Sequence, residues 1–311
     1  MDAIICGIGH TEYSKNAGRS PLQLAVEAGR AAISDAGLTP VDIDGSVTFQ
    51  LDGNDELAVA RNLGIPQLRF SSRTRGGGGG ACATVQHAAA AVVSGQARAV
   101  LVWRAFKERS RRRFGQPNPR PPDPAWDFYL PFGLDTPAKI YGLSFQRYMH
   151  RYGLTNADFG LYAVVRIAAT GAANLEGGDE MFNYYHPDLT TFVEGRAMAE
   201  DLWAQSGYGP WDMDVAMIYE NFSPIVFMQL EAFGYCGPGE ARDFIASGGI
   251  GPGGPIPVNT NGGLLGEGYI HGMNNIIEAV RQLRGTSPNQ VAGANCVLVS
   301  AGRSGLILDK P

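Results

Sequence analysis

Residues 34–45 read SDAGLTPVDIDG and residues 205–215 read QSGYGPWDMDV. Each carries a glycine, a short step to a proline, any residue, Asp, Ile or Met, and a second Asp. Each then enters an apolar run, VTFQL in the first and VAMIY in the second. An amphipathic helical stretch precedes both, so the unit reads helix, turn, strand. The correspondence resumes downstream. Residues 75–103, RGGGGGACATVQHAAAAVVSGQARAVLVW, are matched by residues 259–285, NTNGGLLGEGYIHGMNNIIEAVRQLRG, followed by GANCVLVS. In each a glycine-rich loop leads into a helix with small or apolar faces, a short polar connection and a β-branched run. The same elements in the same order, twice, predict a duplicated α/β chain with two sheets and helices between them, not a short-period solenoid.

The sequence between the copies is of another kind. Residues 104–124, RAFKERSRRRFGQPNPRPPDP, are basic and then proline-rich, a composition that interrupts helix and strand alike and predicts a surface excursion. Residues 135–153 and 155–169 have helical spacing, with Asp135-Thr136-Pro137 and Thr155-Asn156 as starts. The chain therefore divides into a first half over 1–103, an inserted lid or loop region over 104–170 and a second half over 171–311.

Composition limits the functional classes. The chain has 311 residues and a net charge of −5, with 18% charged and 44% hydrophobic residues, which gives no reason to expect a nucleic-acid or anionic-membrane partner. The N-terminal MDAIICGIGH lacks the basic region of a signal peptide, and no apolar run approaches the roughly 18 residues of a membrane span, so a cytoplasmic protein is expected. Cys6, Cys82, Cys236 and Cys296 form no CxxC pair, and the five histidines have no HxxxH spacing; neither a metal site nor a disulfide is expected. The run Gly76 to Gly80 is followed by no Lys-Ser/Thr, and Gly7-Ile8-Gly9 lacks a third glycine, so neither is a nucleotide-binding loop.

Three motifs resemble the thiolase superfamily, in the branch of the sterol-carrier-protein thiolases and bacterial lipid-transfer-protein enzymes, over nearly the whole chain. ACAT at 81–84 is similar to the loop of the thiolase nucleophilic cysteine. IYENFSP at 218–224 is similar to the loop written NEAF or HDCF, and NGGLLGEGYIHG at 261–272 to the loop written GGxxxxGHPxG. The resemblance implies two βαβαβ-type halves in an α/β/α/β/α layering with an inserted loop domain. It also implies a connection between the halves that this chain lacks near Ala169–Gly171; a half without its last strands has an open sheet edge, so a segment is expected to be absent there.

The departures from the family pattern indicate the chemistry. The family's catalytic histidine falls on Tyr269 and its Asn or His on Tyr219. The late cysteine position falls near Val299 and Ser300, while Cys296 lies inside the predicted strand. A phenol with an ordinary pKa near 10 is poorly suited to making a thiolate, but it can take a proton from an alcohol while oxyanion-hole donors stabilise a thioester enolate. Tyrosines at both places resemble the bacterial aldolases that cleave a 17-hydroxy steroid 20-carboxyl-CoA to a 17-ketosteroid and propionyl-CoA. The resemblance gives Tyr219 and Tyr269 the base and acid roles, in an order left open. Two alternatives stand beside it: a 3-ketoacyl-CoA thiolase using Cys82, and a non-catalytic sterol or acyl-CoA binding subunit.

The supporting residues are expectations of the same kind. Cys82, at a predicted helix N-terminus, is read either as a thiol of lowered pKa or as a buried cysteine packed among alanines. Glu220 and Glu267 adjoin the tyrosines and are candidates to orient them; His271 is a backup base, and His87 and His10 are read as structural. Arg109, Arg111, Arg112 and Arg113, with Gly263, are candidates to meet CoA, whose three phosphates suit Arg. No cofactor is expected beyond CoA as part of substrate and product. A homodimer is expected, with AVLVW after the five-glycine loop as apolar sheet surface wanting cover. The resemblance further implies a DUF35-type partner, an oligonucleotide-binding-like barrel with a zinc ribbon often carried on a hydratase subunit, in an α2β2 assembly.

Overall fold

The computed structural model describes residues 3–14, 16–107, 127, 129–155, 158, 170–173 and 188–310. Its architecture grows from the repeated Pro-x-Asp-x-Asp. Pro40 and Pro210 each open a single 3₁₀ turn, Pro40–Asp42 and Pro210–Asp212, with φ preset by the proline ring. The first Asp closes its turn: Asp42 accepts from the Thr39 N–H at 2.9 Å and Asp212 from the Gly209 N–H at 2.7 Å. The second Asp ties two strands together. Asp44 accepts from the N–H groups of Arg98 and Ala99 at 2.8 and 3.1 Å, and Asp214 from those of Asn295 and Cys296 at 2.8 and 2.9 Å.

Those aspartates sit at the start of β1 (Gly45–Phe49) and β5 (Val215–Ile218), and the residues they bind lead into β3 (Val100–Val102) and β6 (Cys296–Ser300). In the first sheet β1 lies between β2 (Phe70–Thr74) and β3, all parallel. In the second, β5 runs parallel to β6, which pairs antiparallel with β7 (Ser304–Asp309), which pairs antiparallel with β4 (Gly171–Ala172). A parallel bridge from Ala216 to Val258 gives β5 the neighbour that β2 gives β1.

The layers follow from side-chain alternation along these strands. Ala216 and Ile218 face one way, onto α5 (Val193–Ser206) and α6 (Pro224–Phe233), with Met198, Leu202, Ile225 and Phe227 fully buried between them. Val215 and Met217 face the other way, onto α3 (Ala81–Val93) and α7 (Met273–Arg284), which fill the middle layer with Ala81, Cys82, Met273, Ile276 and Ala279. Beyond the first sheet, α1 (Pro21–Asp35) and α2 (Glu56–Leu63) cover Leu101 and Trp103 with Leu24, Ile33, Val59 and Leu63. The order is helix, sheet, helix, sheet, helix, the duplicated α/β arrangement expected.

In the region expected to form a lid, α4 (Pro137–Tyr152) begins where Thr136 and Pro137 predict, with the Thr136 side chain as N-cap, and ends at Gly153 in the left-handed conformation. It lies on the second half: Tyr141 meets Phe222 edge-on at 5.2 Å, and the Tyr148 hydroxyl donates to the Glu231 carboxylate. The second expected helix lies outside the described residues, apart from Thr155 and Asp158. Arg109, Arg111, Arg112 and Arg113, proposed for phosphate, are also outside them. Among the described residues no helix is long and apolar enough to cross a membrane.

Candidate active site

Tyr219 follows directly on β5, at the carboxyl end of a parallel strand, where open α/β sheets present residues to a crevice. Three side chains fix that strand end. Asn259, held at φ +52, uses its amide as a substitute strand, accepting from the Ile218 N–H at 3.1 Å and donating to the Ile218 carbonyl at 3.1 Å. Gln229 donates to the Tyr219 carbonyl at 2.7 Å and accepts from the Ser300 hydroxyl at 2.6 Å. Tyr269 approaches from the glycine-rich loop before α7, and the two phenol oxygens meet at 2.7 Å, with the rings tilted 47°. Tyr219 is 1% exposed, whereas Tyr269 borders a cavity of about 2270 Å³. Burial, and then the neighbouring Tyr269, push the Tyr219 phenol well above its ordinary pKa.

The five-glycine run is shaped to receive this tyrosine. A Cβ on Gly78 would stand well inside contact distance of the Tyr219 hydroxyl; one on Gly77 would lie 3.3 Å from His271 Nε2, and one on Gly76 2.9 Å from Arg303. Only bare backbone lets the phenol tip lie over the loop. The second half pins the loop from the opposite side, the Ser304 hydroxyl donating to the Gly79 carbonyl at 2.6 Å.

Several expected roles are corrected. Glu220 does not orient Tyr219; it turns inward, accepting from the backbone N–H groups of Leu264 and Leu265, and burial raises its carboxyl to about 7. Gly263, expected to meet CoA, is buried against that carboxylate, where a Cβ would collide with it. Glu267 accepts from Asn261 and Asn274 at 2.7 and 3.0 Å, which ties the loop to α7, not to Tyr269. Cys82 does sit in the first turn of α3, but it is fully buried, and desolvation lifts its thiol well above the ordinary value, against the lowering a helix N-terminus alone would give. His271 lies against Tyr269, ring to ring at 5.1 Å; burial, and then Arg104, push its imidazole down to about 3, which makes it a weak base. His87 bonds the Ser72 hydroxyl at 2.8 Å and His10 bonds Arg281 at 2.6 Å, structural roles as expected.

Four contributors escaped the sequence reading: Asn259, Gln229, Arg104 and Asp52. Gln229 carried a signal, being the one amide in the apolar helix sequence IVFMQLEAF, where a buried polar group must have a specific partner. Asn259 opens the glycine-rich motif. Asp52 and Arg104 directly follow the strand runs of the first copy, but their partnership with each other and with His271 spans 52 and 167 residues.

With this geometry in hand, comparison with known proteins is specific. Residues 179–309 match the family described as thiolase C-terminal domain-like. The chain is 43% identical to the 17-hydroxy-3-oxo-4-pregnene-20-carboxyl-CoA lyase of Mycobacterium tuberculosis, over 98% of this chain and 98% of that protein. It is 44% identical to the steroid side-chain-cleaving aldolase of Thermomonospora curvata, over 98% and 97%. The solved structure of an Ltp2-ChsH2(DUF35) aldolase superposes with a TM-score of 0.90 at 40% identity, covering 99% of this chain and 97% of that one. Both alignments to the lyase and the aldolase extend over 380 positions where this chain has 311 residues, so these relatives carry several tens of residues that it lacks. Two tyrosines joined at the meeting of two thiolase-type loops, on a duplicated thiolase fold, thus agree with full-length similarity: the chain belongs to the steroid side-chain-cleaving aldolase family of the thiolase superfamily.

Proposed function

We propose that the protein is a carbon–carbon lyase that cleaves a 17-hydroxy steroid 20-carboxyl-CoA thioester to a 17-ketosteroid and propionyl-CoA. The observation that carries this reading is the 2.7 Å contact between the Tyr219 and Tyr269 hydroxyls. One phenol takes the proton of the C17 hydroxyl as its own hydrogen passes along the shared bond to the other; the C17–C20 bond breaks as the C17 oxygen becomes a carbonyl; the electron pair passes to the thioester enolate; and the other phenol gives its original proton to C20. Atoms and charge balance without a further cofactor, CoA entering and leaving within the thioester. Tyr269, half-buried where Tyr219 is 1% exposed, is the phenol assigned to the substrate, and Tyr219 is its hydrogen-bonded second. The thiolase alternative fares worse, since it needs a thiolate at Cys82, where burial opposes one.

Incubation with the steroid thioester tests the reading. Release of ketone and propionyl-CoA without added CoA is the expected result; a strict requirement for free CoA would transfer the assignment to a thiolase.

The same reading extends to assembly. The solved relative is named as a complex with a DUF35 domain, and a bulky steroid thioester whose tertiary alcohol readily dehydrates favours direct transfer from a hydratase. We infer a homodimer that binds two DUF35-type zinc-ribbon subunits as α2β2. Co-purification at equal stoichiometry with a zinc-containing subunit supports this; a fully active, concentration-independent monomer overturns it.

A further inference from the structure

A buried chain of side chains links the first half to Tyr269. Asp52 follows β1, and Arg104 lies just past β3. Their side chains, 0% and 3% exposed, pair at 2.7 Å. The second oxygen of Asp52 is occupied by the Asn54 N–H and amide, both at 2.8 Å, and the first also accepts from the Ala105 N–H at 2.9 Å. A desolvated pair with this much hydrogen bonding is held in one geometry, and removing either member would leave a buried charge uncompensated. The Arg104 guanidinium lies 4.5 Å from the Phe106 ring centroid and 5.4 Å from that of Phe49. Its Nε then donates to His271 Nδ1 at 3.1 Å.

That last contact determines the state of the histidine. A guanidinium N–H is always a donor, so Nδ1 must present a lone pair and the ring proton must reside on Nε2: a single neutral tautomer. An imidazolium would set a second cation against Arg104, in keeping with the depressed pKa of the ring. Phe106 at 5.2 Å and Phe49 at 6.0 Å enclose the imidazole, and Tyr269 meets it edge-on. His271 itself sits at φ +56, a conformation a non-glycine residue holds only when its surroundings impose it.

We propose that Arg104 is a positioning residue for Tyr269: supplied from just past β3, outside the half that carries both tyrosines, it locks His271 in one orientation and tautomer, and the imidazole in turn braces the Tyr269 phenol at hydrogen-bond distance from Tyr219. The inference rests on the catalytic reading of Tyr269 given above. It also assigns His271 the work of a fixed wedge in place of a base.

The test is a double-mutant cycle on turnover of the steroid thioester by the full chain, co-expressed with its partner subunit. Arg104→Gln should lower kcat by about 10- to 100-fold, as expected for loss of about an ångström of alignment, with KM changed less than about threefold. His271→Asn, an amide that tolerates positive φ and leaves the Arg104–Asp52 pair in place, should lower kcat similarly. In the background of Tyr269→Phe neither change should cost anything further, because both act through that phenol. Full additivity on an impaired Tyr269→Phe, or variants within about threefold of wild type, overturns the proposal. If Arg104→Gln does not fold, the His271→Asn cycle alone decides. A Tyr269→Phe enzyme of undiminished activity would instead refute the underlying assignment of Tyr269.

Discussion

The second half holds β6 between two strands, β5 and β7, and β7 is closed in turn by β4; among the described residues the first half holds β3 against β1 alone. In the second half β7 packs against α5, α7 and α3. At the corresponding place in the first half, walled by α1, α3, the far edge of β3 and residues 3–14, is the cavity of about 2270 Å³. The N-terminal segment lies close against α1, with no room for a Cβ on Gly7 or Gly9, yet it joins no strand among the described residues. By its place ahead of α1 it corresponds to β4, which precedes α5. The comparison separates two properties of the fold: among the described residues one edge of the first sheet faces the cavity, while the two tyrosines hang from a strand end and a glycine-rich loop of kinds that both halves contain.

If the halves divide the work in this way, changes at the second-half hydroxyls should cost most. Tyr219→Phe and Tyr269→Phe should each lower kcat by about 10²- to 10⁴-fold while leaving the melting temperature nearly unchanged; near-wild-type turnover in both would break the comparison. The first half should be felt through its glycines. Gly78→Ala, by pushing the Tyr219 tip away, should lower kcat by about 10- to 100-fold, measurable without any change in substrate KM. Inserting the relatives' additional residues at the 169–171 junction, where the resemblance leads one to expect the missing connection, should raise the Tm by about 5 °C or more. A Tm that does not move would mean that the cavity is not the seat of a strand.

Glu220 offers a smaller, pH-dependent effect. Its folded-state pKa of about 7 stands above the ordinary 4.5, so the folded form binds the proton more tightly. Its contribution to stability is therefore full below about pH 4.5 and is lost as pH rises through about 7. Glu220→Gln should flatten that slope, with a gain of roughly 1–3 kcal/mol at pH 8 in urea titrations; an unchanged profile would show the carboxylate to be solvated. The smallest effect belongs to Cys82→Ala, expected within about threefold of wild-type activity. A collapse of turnover there would return the thiolase reading.

Much of this was legible beforehand because it is local. The Pro-x-Asp-x-Asp repeat is a turn and a strand tie written within a few residues, and Tyr219 and Tyr269 stand at fixed steps from glycines and from a strand. What was missed depends on contacts between distant segments. Arg104 meets His271 across 167 residues, and it opens a basic stretch whose evident reading is phosphate binding. Glu220 reads from sequence as a candidate to orient Tyr219 because the backbone N–H groups that claim it, on Leu264 and Leu265, are 44 and 45 residues away. For Cys82 the helix start was visible and its burial between two sheets was not.

Two phenol oxygens 2.7 Å apart have room for one hydrogen between them, so at any instant the Tyr219–Tyr269 pair points one way or the other. A proton entering at the C17 hydroxyl end and another leaving toward C20 would pass the shared hydrogen across and leave the pair pointing in reverse. Each turnover would then write a direction into the site, and the next molecule of steroid would meet a pair facing backwards until both hydroxyls had swung about their C–O bonds. An enzyme built in this way keeps a one-bit memory of its last reaction, erased only by rotation.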